Sequence, residues 1–343
     1  MKDGVISIMV RVGIIGMGIR GKLYAGAILQ NPDAELVSFA DINPKTLREV
    51  EDYFGIQGTL DYKELLNEDI DAVIIATPDF AHTEPALEAI KRGYHIMIEK
   101  PLATSIDEAE RILEEAEKRG IKAQVAFENR WNAPFVMVKK SIEDGELGDI
   151  YNMRITLNDS IYVPTRMISW ADKTTPGWFL ISHCVDMALW LTKKKVKSVD
   201  GRGTKNLLRK QGIDTYDMID ASLRFEDGSL SHILSSWILP ESMPSVAQFK
   251  FEIYGEKGYS NIDFTNSVIT NVSERYYFAG MPTLWADIHG RATGAPIWML
   301  DSFIDSIKNN KPVIATLEDG LEVTKIVSGI HRSVEEKKEI EIN

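Results

Sequence analysis

The chain has 343 residues, 44% hydrophobic and 26% charged, an ordinary balance for a globular protein long enough for two domains. Its formal net charge of −12, with no long basic run, argues against nucleic acid or an anionic membrane as the main partner. No stretch approaches the roughly 18 uninterrupted apolar residues of a spanning helix. Residues 1–9 are too short and too weakly basic for a signal peptide, with Met9 an alternative start. The single cysteine, Cys184, leaves no internal disulfide and no cysteine-cluster metal site, so the expected setting is a reducing cytoplasm without a metal.

Residues 10 to about 128 alternate strands and helices. Strands are predicted over 10–15, 35–40, 72–76, 95–98 and 123–126, and a first helix over 22–31. The clearest helix covers 107–119, where Ser105-Ile-Asp-Glu108 forms a capping box and Gly120 ends it. This alternation implies an α/β fold with a parallel, doubly wound sheet, whose ligands bind at the carboxyl ends of the strands. Gly16, Asp41, Thr77 and Lys100 all follow strand ends and are expected to line one crevice.

Gly16-Met17-Gly18-Ile19-Arg20-Gly21 closes the first strand and opens the first helix. In that context Gly16 allows the tight turn, Gly18 admits a pyrophosphate to the backbone, and Gly21 lets helix and strand pack closely. The helix N-terminus adds free N–H groups and a partial positive charge. Asp41 ends the second strand 25 residues after Gly16, near the roughly 20 usual for a carboxylate that accepts from ribose hydroxyls. Such a carboxylate repels a 2′-phosphate and favours NAD over NADP, while Lys45 and Arg48 nearby can offset the repulsion. Alternatively, Asp41-Ile42-Asn43-Pro44 simply starts the next helix.

After residue 150 the pattern changes to long alternating runs over 151–158, 217–225, 229–237, 248–254 and 260–264, with a hairpin signal at Asp227-Gly228. These read as a large, open, mostly antiparallel sheet, followed by helices over 295–308 and 318–336. The boundary falls at 128/129, giving a cofactor domain over 1–128 and a substrate and oligomerisation domain over 129–343. All seven tryptophans lie beyond residue 130, and a subset near the crevice can stack on a sugar ring.

Glu99-Lys100-Pro101 follows the fourth long strand. A lysine there can hydrogen-bond a substrate oxygen and stabilise the charge that develops as hydride moves. Partial burial would lower its pKa and let it share proton transfer. Pro101 fixes the turn, a cis peptide being one option, and Glu99 either holds the lysine or binds the cofactor.

With these residues in view the chain resembles the glucose-fructose oxidoreductase / inositol dehydrogenase / MocA-like family along most of its length. The resemblance rests on the glycine motif, on Ala76-Thr77-Pro78-Asp79 with His82, and on Glu99-Lys100-Pro101. It continues through Arg130-Trp-Asn-Ala-Pro134, His183-Cys-Val-Asp186 and Glu318-Asp-Gly-Leu321. It implies a Rossmann domain followed by an α/β domain with a large open sheet. It also implies NAD(P)-dependent hydride transfer with a sugar, cyclitol or related polyol, and homodimers or homotetramers formed through the sheet faces. The implied cofactor set is Gly16, Met17, Gly18, Ile19, Arg20, Gly21, Asp41, Ile42, Thr77, Pro78, His82, Glu99, Lys100, Pro101 and Arg130.

Two positions depart from the family pattern. Asp79 stands where the loop usually has asparagine, which removes a donor and adds a charge. Catalytic members carry Asp-x-x-x-His before a helix; His183 fits the histidine, but the aspartate position is Phe179. Asp186, three residues after His183, either orients the imidazole or is a helix-terminal charge. Asp159 and Asp172 are other candidates for the missing carboxylate. The implied catalytic group is Lys100, His183 and Asp186, with His183 as general base. Lys100, Tyr162, Arg166, Trp170, Trp178 and His183 are the substrate-facing candidates, joined by Arg130 and His289; all but Lys100 and His183 rest on their location after strands or in loops. Two other outcomes remain open: a tightly held cofactor recycled during glycoside cleavage or epimerisation, and an NAD-binding sensor without catalysis.

Overall fold

The computed structural model describes residues 9–243, 245–265, 270–272, 277–279, 285–289 and 291–342. The chain forms two compact units: one holds the residues up to Ala103, Asp107–Glu128 and Trp285–Leu321, and the other holds Thr104–Ile106, Asn129–Leu284 and Glu322–Asn343. The first begins with β1 (Val10–Ile15), α1 (Ile19–Ile28), β2 (Ala34–Ala40), α2 (Pro44–Phe54), β3 (Gly58–Thr59), α3 (Tyr62–Leu65) and β4 (Ala72–Ile75). It continues with α4 (Thr83–Lys91), β5 (His95–Ile98), α5 (Ile106–Arg119) and β6 (Ala123–Val125).

The six strands form one parallel sheet in the order β3-β2-β1-β4-β5-β6. Strand order reverses between β1 and β4, and a ligand crevice opens at such a switch point, beyond the carboxyl ends of the strands. The central strands are continuous apolar runs because both faces are covered: all four residues of β4 are buried. The expected strands agree with the observed ones to within a residue. The first helix starts three residues earlier than expected, at Ile19, because the turn is already helical inside the glycine motif, with Gly18 as its N-cap. Pro44 does begin α2, whose N-cap Asn43 accepts from the Lys45 N–H.

The second stretch of chain runs through α6 (Ala133–Glu143), β7 (Ile150–Asp159), α7 (Ser182–Thr192), β8 (Val196–Thr204), α8 (Leu207–Lys210), β9 (Met218–Phe225) and β10 (Leu230–Ser236). Then come β11 (Ala247–Gly255), β12 (Tyr259–Asp263), β13 (Thr270–Val272) and β14 (Tyr277–Ala279). The chain ends with β15 (Trp285–Ile288), β16 (Arg291–Gly294), α9 (Ala295–Lys308), α10 (Leu317–Glu336) and β17 (Ile340–Glu341).

The second unit is built on a seven-stranded sheet in the order β12-β11-β7-β10-β9-β8-β17, antiparallel except where β10 pairs with β7. Asp227-Gly228 makes the expected hairpin turn: Gly228 has φ of +86°, and Asp227 Oδ1 accepts from the Ser229 N–H and hydroxyl.

Trp285–Leu321 clusters with the first unit, whereas the sequence boundary assigns it to the second. The reason is burial: α9 carries the buried Met299, Leu300, Phe303 and Ile304 and packs on α1 and β1. The β6 edge adds polar contacts, with the Val125 N–H donating to Ala315 O at 3.0 Å. His289 lies at the β15–β16 turn and so belongs to this first unit.

Candidate active site

The glycine motif builds an anion cradle. Gly16 has φ of +93°, and a Cβ on it would lie 2.7 Å from Ala76 O, so only glycine is accommodated. A Cβ on Gly21 would lie 2.0 Å from Gly16 O, which locks the first turn of α1 against the loop. Nothing stands within 4 Å of a Cβ on Gly18, and no side chain caps α1. The first helical N–H groups thus face open space in the direction a pyrophosphate would come from. Asp41 Oδ2 accepts from the Met17 N–H at 2.8 Å and Oδ1 from the Asn43 N–H at 2.8 Å. The carboxylate is therefore fixed between the glycine turn and α2, with lone pairs left for ribose hydroxyls. Ile19 is 58% and Ile42 89% exposed, apolar surface that a bound dinucleotide would cover. These residues suit NAD.

Arg20 does something other than line the cradle. Its guanidinium spans two buried carboxylates, Nε to Glu99 Oε1 at 3.1 Å and Nη2 to Glu128 Oε1 at 2.6 Å. The Tyr24 hydroxyl donates to Glu99 Oε1 at 2.5 Å, and Glu99 Oε2 accepts from the Lys100 N–H at 3.2 Å. Glu99 thus holds the lysine through its backbone. Burial lowers the Lys100 pKa and the Arg20 charge lowers it further, against the pull of Glu99, Glu128 and Asp79. The Lys100-Pro101 peptide is cis. His82 ties the loops together, with Nδ1 2.8 Å from Pro101 O and Nε2 3.0 Å from Thr77 O, and burial lowers its pKa. Thr77 Oγ1 donates to Ala81 O at 3.1 Å. Asp79 is buried and accepts from the Phe80 N–H at 2.7 Å, so its charge serves the loop.

In the second unit, His183 is half-buried in the first turn of α7. Ahead of it, Gly177–Ile181 is a wide turn in which the Ser182 N–H reaches back to Gly177 O. Such i→i+5 turns are frequent at functional sites. Asp186 is buried with Arg130, whose Nη2 lies 2.6 Å and Nε 3.1 Å from Oδ1. Arg130, expected on the cofactor side, and Asp186, expected beside His183, are joined in one ion pair.

Phe179, at the aspartate position, packs edge-on against Trp170 and Trp237, with ring centroids 6.0 and 5.5 Å apart. Trp178 stacks on His331 at 4.9 Å. Arg166 lies over the Tyr162 ring at 5.2 Å and pairs with Glu241. Asp159 is buried at the end of β7, and Asp172 is exposed.

Tyr24, Glu128 and His331 are not among the candidates drawn from the sequence, and Trp237 enters there only as one of the seven tryptophans. Glu128 carried a usable signal, since it follows a strand end as Gly16, Asp41, Thr77 and Lys100 do. The other three carried none, because their partners lie far away along the chain.

Residues 10–127 match the model of the GFO/IDH/MocA oxidoreductase family, NAD-binding Rossmann fold, and residues 135–260 match the GFO/IDH/MocA C-terminal domain. The chain is 25% identical over 342 residues to myo-inositol 2-dehydrogenase of Thermotoga maritima, covering 97% of this chain and 98% of that protein. It is 28% identical over 337 residues to inositol 2-dehydrogenase of Rhizobium meliloti, covering 97% and 99%. The crystal structure of scyllo-inositol dehydrogenase from Lactobacillus casei with bound NAD(H) and scyllo-inositol shares the fold, with TM-score 0.82 and 22% identity over 97% of this chain and 99% of that one. With both domain models matched in order and the dinucleotide cradle formed by its own residues, the chain belongs to the GFO/IDH/MocA family of oxidoreductases with an NAD-binding Rossmann fold.

Proposed function

We propose that this protein is a dehydrogenase that moves a hydride between NAD and a secondary alcohol of a sugar, cyclitol or related polyol. The observation that carries this reading is Lys100, with its lowered pKa, at the strand end beside a complete dinucleotide cradle. The inositol dehydrogenases among its relatives support the substrate class. On this reading residues 1–128 are the cofactor domain and 129–343 the substrate-binding and oligomerisation domain.

When bound, the nicotinamide supplies the hydride acceptor. Gly18 and the first N–H groups of α1 would hold the pyrophosphate, Asp41 would accept from the adenosine ribose, and Ile19, Ile42, Thr77 and Pro78 would supply further contacts to the cofactor. The Lys100 ammonium donates to the substrate oxygen and stabilises its developing negative charge. His183 takes the hydroxyl proton, a general-base contribution of about 10²- to 10⁴-fold. Arg130 holds Asp186, three residues after His183 on α7, while Tyr162, Arg166, Trp170 and Trp178 contribute polar and flat apolar surface for a ring-shaped polyol. The open face of the seven-stranded sheet joins copies of the chain into a dimer or tetramer.

A second reading rests on Phe179. An aromatic cluster where catalytic relatives carry an acid favours a protein that binds NAD without transferring hydride. The test is NAD⁺ reduction followed at 340 nm over a panel of cyclitols and sugars, repeated with NADP⁺. Turnover with at least one polyol and NAD⁺ is expected. NAD binding without turnover across the panel would favour the sensor, and product formation without net NADH would favour a retained, recycled cofactor.

A further inference from the structure

Four charged groups from three elements converge here: Glu99 and Lys100 after β5, Glu128 after β6, and Arg20 in α1. Their formal charges cancel. Asp79, after β4, is the fifth group that bears on Lys100, and it already accepts from the Phe80 N–H. Without a second cation, Glu99 and Glu128 would leave the Lys100 ammonium as their only buried counter-charge in this group. An ammonium held that way is a poor donor to a substrate oxygen and gives up its proton reluctantly. Arg20 prevents this, because its planar fork reaches one oxygen of each carboxylate at once.

We propose that Arg20, the fifth residue of the glycine motif, is a positioning residue for the reaction: by spanning Glu99 and Glu128 it cancels carboxylate charge that would otherwise act on Lys100, and so sets how tightly the Lys100 ammonium is held and where it titrates. The inference rests on the reading of Lys100 as the group that holds the substrate oxygen. It gives Arg20 a task distinct from the pyrophosphate contact that its place in the motif suggests.

The test reads Lys100 directly and turnover separately. In the full-length protein, the pH dependence of Lys100 acetylation by acetic anhydride is followed by peptide mass spectrometry, with the exposed Lys45 as internal reference. The variants are Arg20→Met, Glu128→Gln, the double variant and Arg20→Lys. The expected Lys100 midpoint rises by about one pH unit or more in Arg20→Met and falls in Glu128→Gln. It returns to within about half a unit of wild type in the double variant and in Arg20→Lys. The alkaline limb of kcat with NAD⁺ and a polyol should follow the same shifts, while KM for NAD⁺ stays within about threefold, because the cradle is intact.

A folded Arg20→Met variant with an unmoved Lys100 midpoint overturns the inference. If Arg20→Met does not fold, Glu128→Gln decides alone, and an unmoved or raised midpoint there overturns it. If the labelling midpoints shift as expected but kcat does not follow, Lys100 does not hold the reacting oxygen, and the functional reading fails while the charge balance stands.

Discussion

Two residues carry the cofactor and substrate readings. Asp41 is positioned before any ribose arrives, since both carboxylate oxygens already accept backbone N–H groups. Hydrogen bonds to a charged group are worth about 1.5–3 kcal/mol each. Asp41→Ala should therefore lower the melting temperature in calorimetry and also raise KM for NAD⁺ by about tenfold or more. The NAD⁺/NADP⁺ ratio should move towards NADP⁺. Of the basic neighbours that could counter Asp41, Lys45 has a carboxylate of its own, its ammonium lying 3.8 Å from Glu49. Lys100→Met removes the donor at the substrate oxygen but no cofactor contact drawn from the glycine turn or Asp41. Turnover should fall by about 10²-fold or more, with NAD binding by calorimetric titration nearly unchanged. Near-normal turnover would remove Lys100 from the mechanism.

At the level of elements, partner choice and close packing were the parts hidden from sequence. The buried apolar strands and the glycine turn were legible because each is a local pattern with one structural solution. β8 was missed because Gly201 and Gly203 interrupt its alternation, and they do so for α10. A Cβ on Gly201 would lie 2.9 Å from Ile330 O, and one on Gly203 3.0 Å from Val334. Asp186 shows the same limit, since its spacing to His183 was readable and its pairing with Arg130 was not.

That pairing makes a prediction. Asp186→Asn breaks a buried ion pair by removing the carboxylate that holds Arg130, at a cost of about 3–5 kcal/mol in urea unfolding. A purely catalytic Asp186 would instead lose kcat with stability unchanged. α10 supplies another. His331 accepts from the Thr175 hydroxyl, donates to Val327 O and stacks on Trp178, and burial holds its pKa down to about 4. Above about pH 6.5 it is neutral in folded and unfolded chains alike, so its packing contributes in full. Between 6.5 and 4 the unfolded chain takes a proton that the native chain refuses. Stability falls with pH by up to about 3 kcal/mol on this account. His331→Phe keeps a ring against Trp178 and cannot titrate, so its stability difference from wild type should shrink as pH drops through that window.

For the whole molecule, the domain order was legible and the membership of α9 was not. Strand and helix patterns report local class, whereas the surface on which a late helix buries Phe303 and Ile304 is a matter of tertiary packing. The open sheet face is where the proposed contact between copies of the chain is tested. One side of the seven-stranded sheet is covered by α7 and α10. On the other, Glu252 sits beside Arg154, Arg154 beside His232, and His232 beside Ser222 across four adjacent strands. A row that carries both signs of charge can face a copy of itself about a two-fold axis, each Glu252 meeting basic groups of the other chain. Sedimentation velocity should therefore show a dimer or tetramer. Arg154→Glu places a second carboxylate next to Glu252 in each copy, and like charges at an interface cost several kcal/mol. The dissociation constant should rise at least about tenfold, with the far-UV spectrum unchanged. Glu252→Arg in the same chain should restore association by exchanging the signs. A monomeric wild-type chain, or an Arg154→Glu variant that associates as before, would place the contact between copies elsewhere.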